Sequence, residues 1–421
     1  MIPIITNRSC WARRLTLGLL LMPLLALADA HRVDDFQWEG VERIVAIGDI
    51  HGDYDNYLAT LRLAGLIDKR DRWAGGKTHF VQTGDIPDRG PDTRKIIEHI
   101  TRLAEQAERK GGMVHSLIGN HEAMNVYGDL RYVSQGEFEA FVTRNSAKLR
   151  DRYYDLYLKA MEQQQPEQFA ALPENYRDEW NLKHPLGWVE HRQAWDPAWN
   201  ANGEYAKWVL SHKVSIRIND VVFVHGGISG LYCRNTLDSL TDKAIARLSH
   251  FDPQNPGILE DPFGPLWYRG LSGVEPEALP ETVDAVLAEH QAKHIVVGHT
   301  PTSGVIWPNY GGRVLMIDTG ISKVYGGHIG YLEITPEGYF AGYPGGKVAL
   351  PTSADGVIPY LEKVVALQPG NKHLQRRLEQ LRHPPESQPA TGGAQDDQAP
   401  AGEEEDQEVP AVDVPICGIS Q

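Results

Sequence analysis

Ile44-Val45-Ala46-Ile47-Gly48-Asp49-Ile50-His51-Gly52-Asp53 opens on four apolar residues in succession and then changes character, to acids, an imidazole and glycines. An unbroken apolar run of that length reads as a strand covered on both faces, and the glycines let the backbone turn sharply at its carboxyl end. The β-branched pattern returns at Val221-Val222-Phe223-Val224, Ile295-Val296-Val297 and Val314-Leu315-Met316-Ile317. Elsewhere the apolar spacing becomes helical. Tyr54, Leu58 and Leu61 follow the first strand, and Ile96, Ile100, Leu103, Ala104 and Ala107 follow Pro91 and stop at Gly111-Gly112. Strand and helix in alternation predict an α/β fold.

In such folds ligands gather at the carboxyl edge of the sheet, so the residues that end the strands carry the functional reading. The first strand ends in Gly48-Asp49-Ile50-His51-Gly52, and a later segment gives Gly84-Asp85-Ile86-Pro87-Asp88-Arg89-Gly90. The strand after the second helix ends in Gly119-Asn120-His121-Glu122, and two apolar runs end in His225-Gly226-Gly227 and Gly298-His299-Thr300. One Asp-x-His is weak, being more often a turn with a capped helix behind it; five such ends in one chain form a ligand set for two metals. Carboxylates and an amide oxygen suit manganese-like or iron-like ions, imidazoles suit zinc and iron, and no thiolate is present.

In their order these blocks resemble those of the calcineurin-like metallophosphoesterases, over roughly residues 42–335, and Asp88-Arg89-Gly90 resembles the phosphoprotein phosphatase branch. Three departures from the eukaryotic serine/threonine enzymes, at Pro87, at Gly298-His299-Thr300 and at Leu266-Trp267-Tyr268-Arg269-Gly270, look like the bacterial Shewanella-like phosphatases. That group includes members that favour phosphotyrosine. The resemblance implies two mixed β-sheets flanked by helices. It implies one metal held by Asp49, His51 and Asp85 and a second by Asp85, Asn120, His225 and His299, with Asp85 bridging. His121 would be the general acid, Asp88 would orient it, and Arg89 and Arg269 would hold phosphate. The reaction so implied is hydrolysis of phosphomonoesters by metal-activated water, without a phosphoenzyme, on phosphoproteins or phosphopeptides, with phosphotyrosine ahead of phosphoserine and phosphothreonine. The alternatives are a nucleotide or dinucleoside polyphosphate hydrolase and a binding module that has lost the reaction.

Around these blocks, Asp53 reads as a helix cap. Glu122 reads as a partner for backbone or a basic group, and Tyr325 as a strand-end aromatic on the core, with reach to substrate as its alternative. Residues 137–212 depart from sheet pattern and read as a helical insertion: Leu149, Tyr153, Leu156 and Ala160 keep helical spacing, and Trp180, Trp188, Trp195, Trp199 and Trp208 follow. These tryptophans either wall the metal site and select an aromatic leaving group, or only fill the contact of a helical satellite. A short helical segment is expected over 361–383, after a main domain of 31–360.

The ends differ in composition from the middle. Arg8, Arg13 and Arg14 precede an apolar run from Leu15 to Leu27 that is broken by Pro23, with small residues after it, so residues 1–30 read as a signal peptide of a periplasmic or secreted protein. The run is short for a membrane span of about 20 residues. Residues 384–421 carry nine carboxylates and no Lys or Arg and read as a disordered acidic tail. Across the 421 residues, 56 acids against 41 Lys and Arg give a net charge of −15, which disfavours nucleic acid as a partner. Leader cleavage would leave Cys233 and Cys417, either bridged or separate.

Overall fold

The computed structural model describes residues 31–274, 277–383 and 417. The expected leader, and all of the expected acidic tail except Cys417, lie outside the described residues.

The strands assort into two sheets. One has seven strands in the order β1 (His31–Arg32), β2 (Gln37–Glu39), β6 (Ser215–Ile218), β7 (Val221–Val224), β8 (His294–Val297), β10 (Val314–Met316) and β9 (Trp307–Asn309). The other has six, in the order β13 (Gly346–Ala349), β12 (Gly338–Tyr343), β11 (Tyr331–Thr335), β3 (Ile44–Ile47), β4 (His79–Gln82) and β5 (Met113–Ser116). Both are mixed. Within the six-stranded sheet β3, β4 and β5 run parallel, and within the seven-stranded sheet β7, β8 and β10 do, while β11 to β13 on one side and β6 and β9 on the other pair antiparallel.

The unbroken apolar runs explain how both faces of each sheet are covered. Side chains alternate along a strand. Ile44 and Ala46 therefore join Val221, Phe223, Val296 and Leu315 in one buried cluster, where the inner faces meet. Val45, Ile47, Val222, Val224, Ile295 and Val297 join a second cluster with the helices. Those helices are α1 (Tyr54–Leu63) and α2 (Thr93–Glu108) after β3 and β4, with α10 (Leu237–Ser249) and α11 (Pro280–Glu289) in the second half. Each aliphatic side chain fully buried in this way contributes roughly 1.5–3 kcal/mol. Asp53 caps α1 by accepting from the Asn56 N–H, as its position implies.

Between α3 (Asn120–Tyr127) and β6 the chain is helical: α4 (Gln135–Glu139), α5 (Ser146–Gln164), α6 (Pro166–Ala170), α7 (Tyr176–Lys183), α8 (Trp188–Trp195) and α9 (Glu204–Leu210). Near the carboxyl end the single expected segment is two helices, α12 (Val357–Leu367) and α13 (Lys372–Arg382), separated at Pro369-Gly370, where a missing N–H and a flexible backbone stop a helix. Tyr360, Leu361, Val364, Leu374 and Leu378 join the cluster between the sheets, so the boundary expected at residue 360 falls inside a helix of the main body. Among the described residues no helix is long and apolar enough to cross a membrane. Cys233, in the loop between β7 and α10, is bonded to Cys417.

Candidate active site

The two parallel sets of strands end at one seam. From the six-stranded sheet, β3 delivers Asp49 and His51, β4 delivers Asp85 and β5 delivers Asn120; from the seven-stranded sheet, β7 delivers His225 and β8 delivers His299. Close approach of the sheets demands small residues. A Cβ on Gly48 would lie 2.6 Å from Asp318 Cα across the seam, and one on Gly119 would lie 2.2 Å from Asp85 Oδ1. Half of the ten non-glycine residues with positive φ among those described, His51, Asp85, Asp88, Arg89 and His299, are expected site residues, so backbone strain is concentrated where side chains must be aimed.

Asp85 occupies the middle. Its Oδ2 lies 3.9 Å from His51 Nε2 on one side and 3.2 Å from His225 Nε2 on the other. On the His51 side Asp49 Oδ2 is 4.0 Å away, and the His299 N–H donates to both Asp49 oxygens at 3.2 and 3.1 Å. On the His225 side the tautomer can be argued. His225 Nδ1 is 3.0 Å from the Thr83 carbonyl, which only accepts, so the proton of the neutral ring belongs on Nδ1 and Nε2 presents a lone pair. Facing that lone pair are Asn120 Oδ1 at 2.9 Å, His299 Nδ1 at 3.1 Å and Asp85 Oδ2 at 3.2 Å. Acceptors gathered so closely repel one another and fit a cation. His51 Nδ1, 3.1 Å from the Pro87 carbonyl, likewise leaves Nε2 for a metal.

The titrating groups agree. Burial first, then the charges of Asp318 and Asp85, push Asp49 well above the usual carboxylate range, and burial pushes Asp318 up to about 7. Burial would raise Asp85 too, but His225 and His121 outweigh it and hold that carboxyl well below its ordinary value. Burial lowers His51 to about 3 and takes His299 well below its ordinary value, which keeps both imidazoles in the neutral, ligating form. Two groups of side chains, His51, Asp85 and His121 and then Asp85, His225 and His299, stand close enough to hold an ion.

His121 enters the first group because α3 begins beside Asp85, whose Oδ1 accepts the His121 backbone N–H at 3.0 Å. Its ring is tied elsewhere: Nδ1 is 2.5 Å from Asp88 Oδ2, and Asn125 Nδ2 donates to Asp88 Oδ1 at 2.9 Å. Glu122 completes the capping of α3. Its carboxylate accepts from the backbone N–H groups of Asp85, Ile86 and Gly119, each at 2.8 Å, a backbone role as read from the sequence. Arg89 stacks over Tyr132, with 4.0 Å from its Cζ to the ring centre. Arg269 donates to the His299 carbonyl at 2.9 Å, which puts its charge beside the site.

Tyr325 corrects an expectation. It is half-buried, with its ring centre 5.1 Å from that of His51, rather than packed on the core. The tryptophans of the insertion also differ from the wall reading. Trp180 stacks on His184 at 4.0 Å, Trp195 stacks on Tyr205 at 5.2 Å, Trp188 meets Trp199 edge-on, and Trp208 packs on His212. They fill the insertion and its seat, and the indole beside the site is Trp267, 5.8 Å from His299. Asp318 is a site residue that sequence reading passed over. It follows the fourth β-branched run, but Thr319 is next to it and Gly320 stands two residues on, so it lacks the adjacent glycine that marks the other strand ends.

Comparison with known proteins came out consistently. Residues 42–303 match the model of the family described as calcineurin-like phosphoesterase. An uncharacterized protein of Schizosaccharomyces pombe is 34% identical over 69% of this chain and 77% of its own length. Shewanella-like protein phosphatase 2 of Arabidopsis thaliana is 30% identical over 68% of this chain and 73% of its own. The crystal structure of the cold-active protein-tyrosine phosphatase of a psychrophilic Shewanella species superposes with a TM-score of 0.56 at 29% identity, covering 76% of this chain and 83% of that one.

Proposed function

The chain belongs to the calcineurin-like phosphoesterases, and from that premise we propose that it hydrolyses phosphomonoesters on phosphoproteins or phosphopeptides, phosphotyrosine foremost, with two metal ions at the seam of its sheets. The observation that carries this reading is the position of Asp85, whose one oxygen faces acceptors of both halves of the site. In the proposal Asp49, His51 and Asp85 hold one ion, and Asp85, Asn120, His225 and His299 hold the other. Manganese, iron or zinc so bound would supply Lewis acidity toward phosphate oxygens and acidify water to near neutral pKa.

The chain's own residues do the rest. Arg89 and Arg269 neutralise and orient the phosphate through their planar forks. His121, its Nδ1 proton held by Asp88, donates from Nε2 to the departing oxygen, which matters most for an alkoxide and least for an acidic phenol. Phosphotyrosine is favoured by likeness to a protein-tyrosine phosphatase and by the Tyr325, Tyr132 and Trp267 rings beside the site. A periplasmic or secreted address belongs to the proposal; the N-terminal pattern and the Cys233–Cys417 bond support it.

Initial rates of the manganese-loaded protein on matched phosphotyrosine, phosphoserine and phosphothreonine peptides test the reading, with Asp85→Asn as the blank. We expect phosphotyrosine to lead and Asp85→Asn to lose at least about a thousandfold in kcat/KM, since both ions lose a ligand. Turnover confined to nucleotides would overturn the peptide assignment, and an Asp85→Asn variant as active as the parent would overturn the shared-ligand assignment.

A further inference from the structure

The helical insertion touches the leaving-group end of the site through its first turn. Asp88 and Arg89 both sit at positive φ, 73° and 65°, a conformation that neither residue adopts without support. That support comes from one short stretch, residues 132–137. The Tyr132 carbonyl accepts from the Arg89 N–H at 2.9 Å, the Ser134 hydroxyl donates to the Gly90 carbonyl at 3.1 Å, and Glu137 Oε2 accepts from the Asp88 N–H at 3.3 Å. Ser134 is also the N-cap of α4, the helix that carries Glu137.

Glu137 is fully buried, and what faces its other oxygen lies far along the chain. His191 of α8, equally buried, places Nε2 3.6 Å from Glu137 Oε1. The imidazole is enclosed by the rings of Phe138, Phe141 and Trp195. Neither of its nitrogens makes a hydrogen bond, and the other polar side chain that engages the Glu137 carboxyl is the Thr93 hydroxyl. An acid and an imidazole sealed among aromatic rings are expensive to bury, and apolar residues of the same shape would pack there at lower cost. The pair is not part of the phosphate or metal machinery, yet it ends on the backbone of the residue that orients His121.

We infer that Glu137, backed by His191, is a positioning residue: it holds the Asp88 turn so that Asp88 keeps His121 aimed at the leaving group, and thereby couples the helical insertion to general-acid catalysis. This deepens the proposed function and rests on it. Glu137→Ala removes the acceptor for the Asp88 N–H, whereas Glu137→Gln keeps an acceptor there and offers His191 an N–H.

The test compares a phosphoserine peptide, whose alkoxide needs a proton, with 4-nitrophenyl phosphate, whose phenolate does not. Glu137→Ala should lose about 10- to 100-fold in kcat on the peptide and less than about threefold on the aryl ester. Glu137→Gln should recover to within about threefold of the parent on both. In a His121→Asn background Glu137→Ala should cost less than about twofold more, because the group it positions is gone. Equal losses on the two substrates, or a full further loss in the His121→Asn background, would overturn the inference. Should Glu137→Ala fail to melt cooperatively, His191→Gln carries the same comparison. A parent protein inactive on both esters would take down the functional reading and this inference together, a result distinct from an active parent with uniform losses.

Discussion

Asp318 adds a buried acid to a place where acids already repel one another, and its carboxylate accepts the Gly320 N–H at 2.9 Å. Asn keeps that acceptor and removes the charge. At pH 8, above the raised value of about 7, Asp318→Asn should therefore lift the melting temperature of the chelated protein by about 2–4 °C, and weaken manganese binding about tenfold. A lower chelated melting temperature with an unchanged manganese midpoint would mean the carboxyl serves only the turn. At this scale sequence reading reached the residues that end strands in Asp, His or Asn beside Gly, and the structure gathers them. It passed over Asp318, where the signal is weaker because Ile317 and Thr319 flank the acid and the glycine stands two residues on. Glu137 and His191 offered none: they are 54 residues apart on separate helices, and nothing local marks a pair made by tertiary packing.

The elements far from the seam carry a different titration. His79 opens β4 and His115 lies in β5; His115 Nε2 is 3.1 Å from His79 Nδ1, and the edge of the Trp38 ring closes over His115 at 4.5 Å. Burial lowers His79 from 6.5 to about 4 and takes His115 well below its ordinary value. The folded chain thus excludes protons that the unfolded chain binds. Stability is full above pH 6.5 and falls as pH drops toward 4, by about 3 kcal/mol for His79 alone. Urea midpoints between those values should show a shallower acid limb for the His79→Gln/His115→Gln double variant than for the parent; parallel limbs would exonerate the pair. Element by element, the apolar runs and the first two helices were legible because both faces of those strands are dry. β4 and β5, with His79, Gln82, His115 and Ser116 among their residues, carry polar side chains that tertiary partners satisfy, and so they lacked the apolar signature.

For the whole molecule, the proposed ions would act as stitches. Their ligands come from both sheets, and without a cation the seam brings Asp49, Asp85 and Asp318 together in a dry place. Chelation should lower the melting temperature by about 5 °C or more, with manganese restoring it, and Asp85→Asn should melt at the same temperature with and without the metal. A parent whose melting ignores chelator and metal alike would show that the sheets hold together without ions. The two-sheet architecture as such came from family resemblance, since alternation of strand and helix says α/β and no more. The five strands nearest the chain end, from β9 to β13, were mostly unread because their apolar residues are interrupted by Gly, Pro and aromatic groups.

The Cys233–Cys417 bond makes a covalent ring of the chain between those residues, with β8 to β13 and the helices α10 to α13 inside it. A protease that cuts once anywhere in that ring releases nothing. The halves stay one molecule of unchanged mass but for a water, and where the cut falls between Cys233 and His299 it leaves His225 on one piece and His299 on the other, still sharing a single covalent framework. Outside the cell, where such cuts are frequent and reductant is scarce, that bond would turn a severed chain into a nicked enzyme.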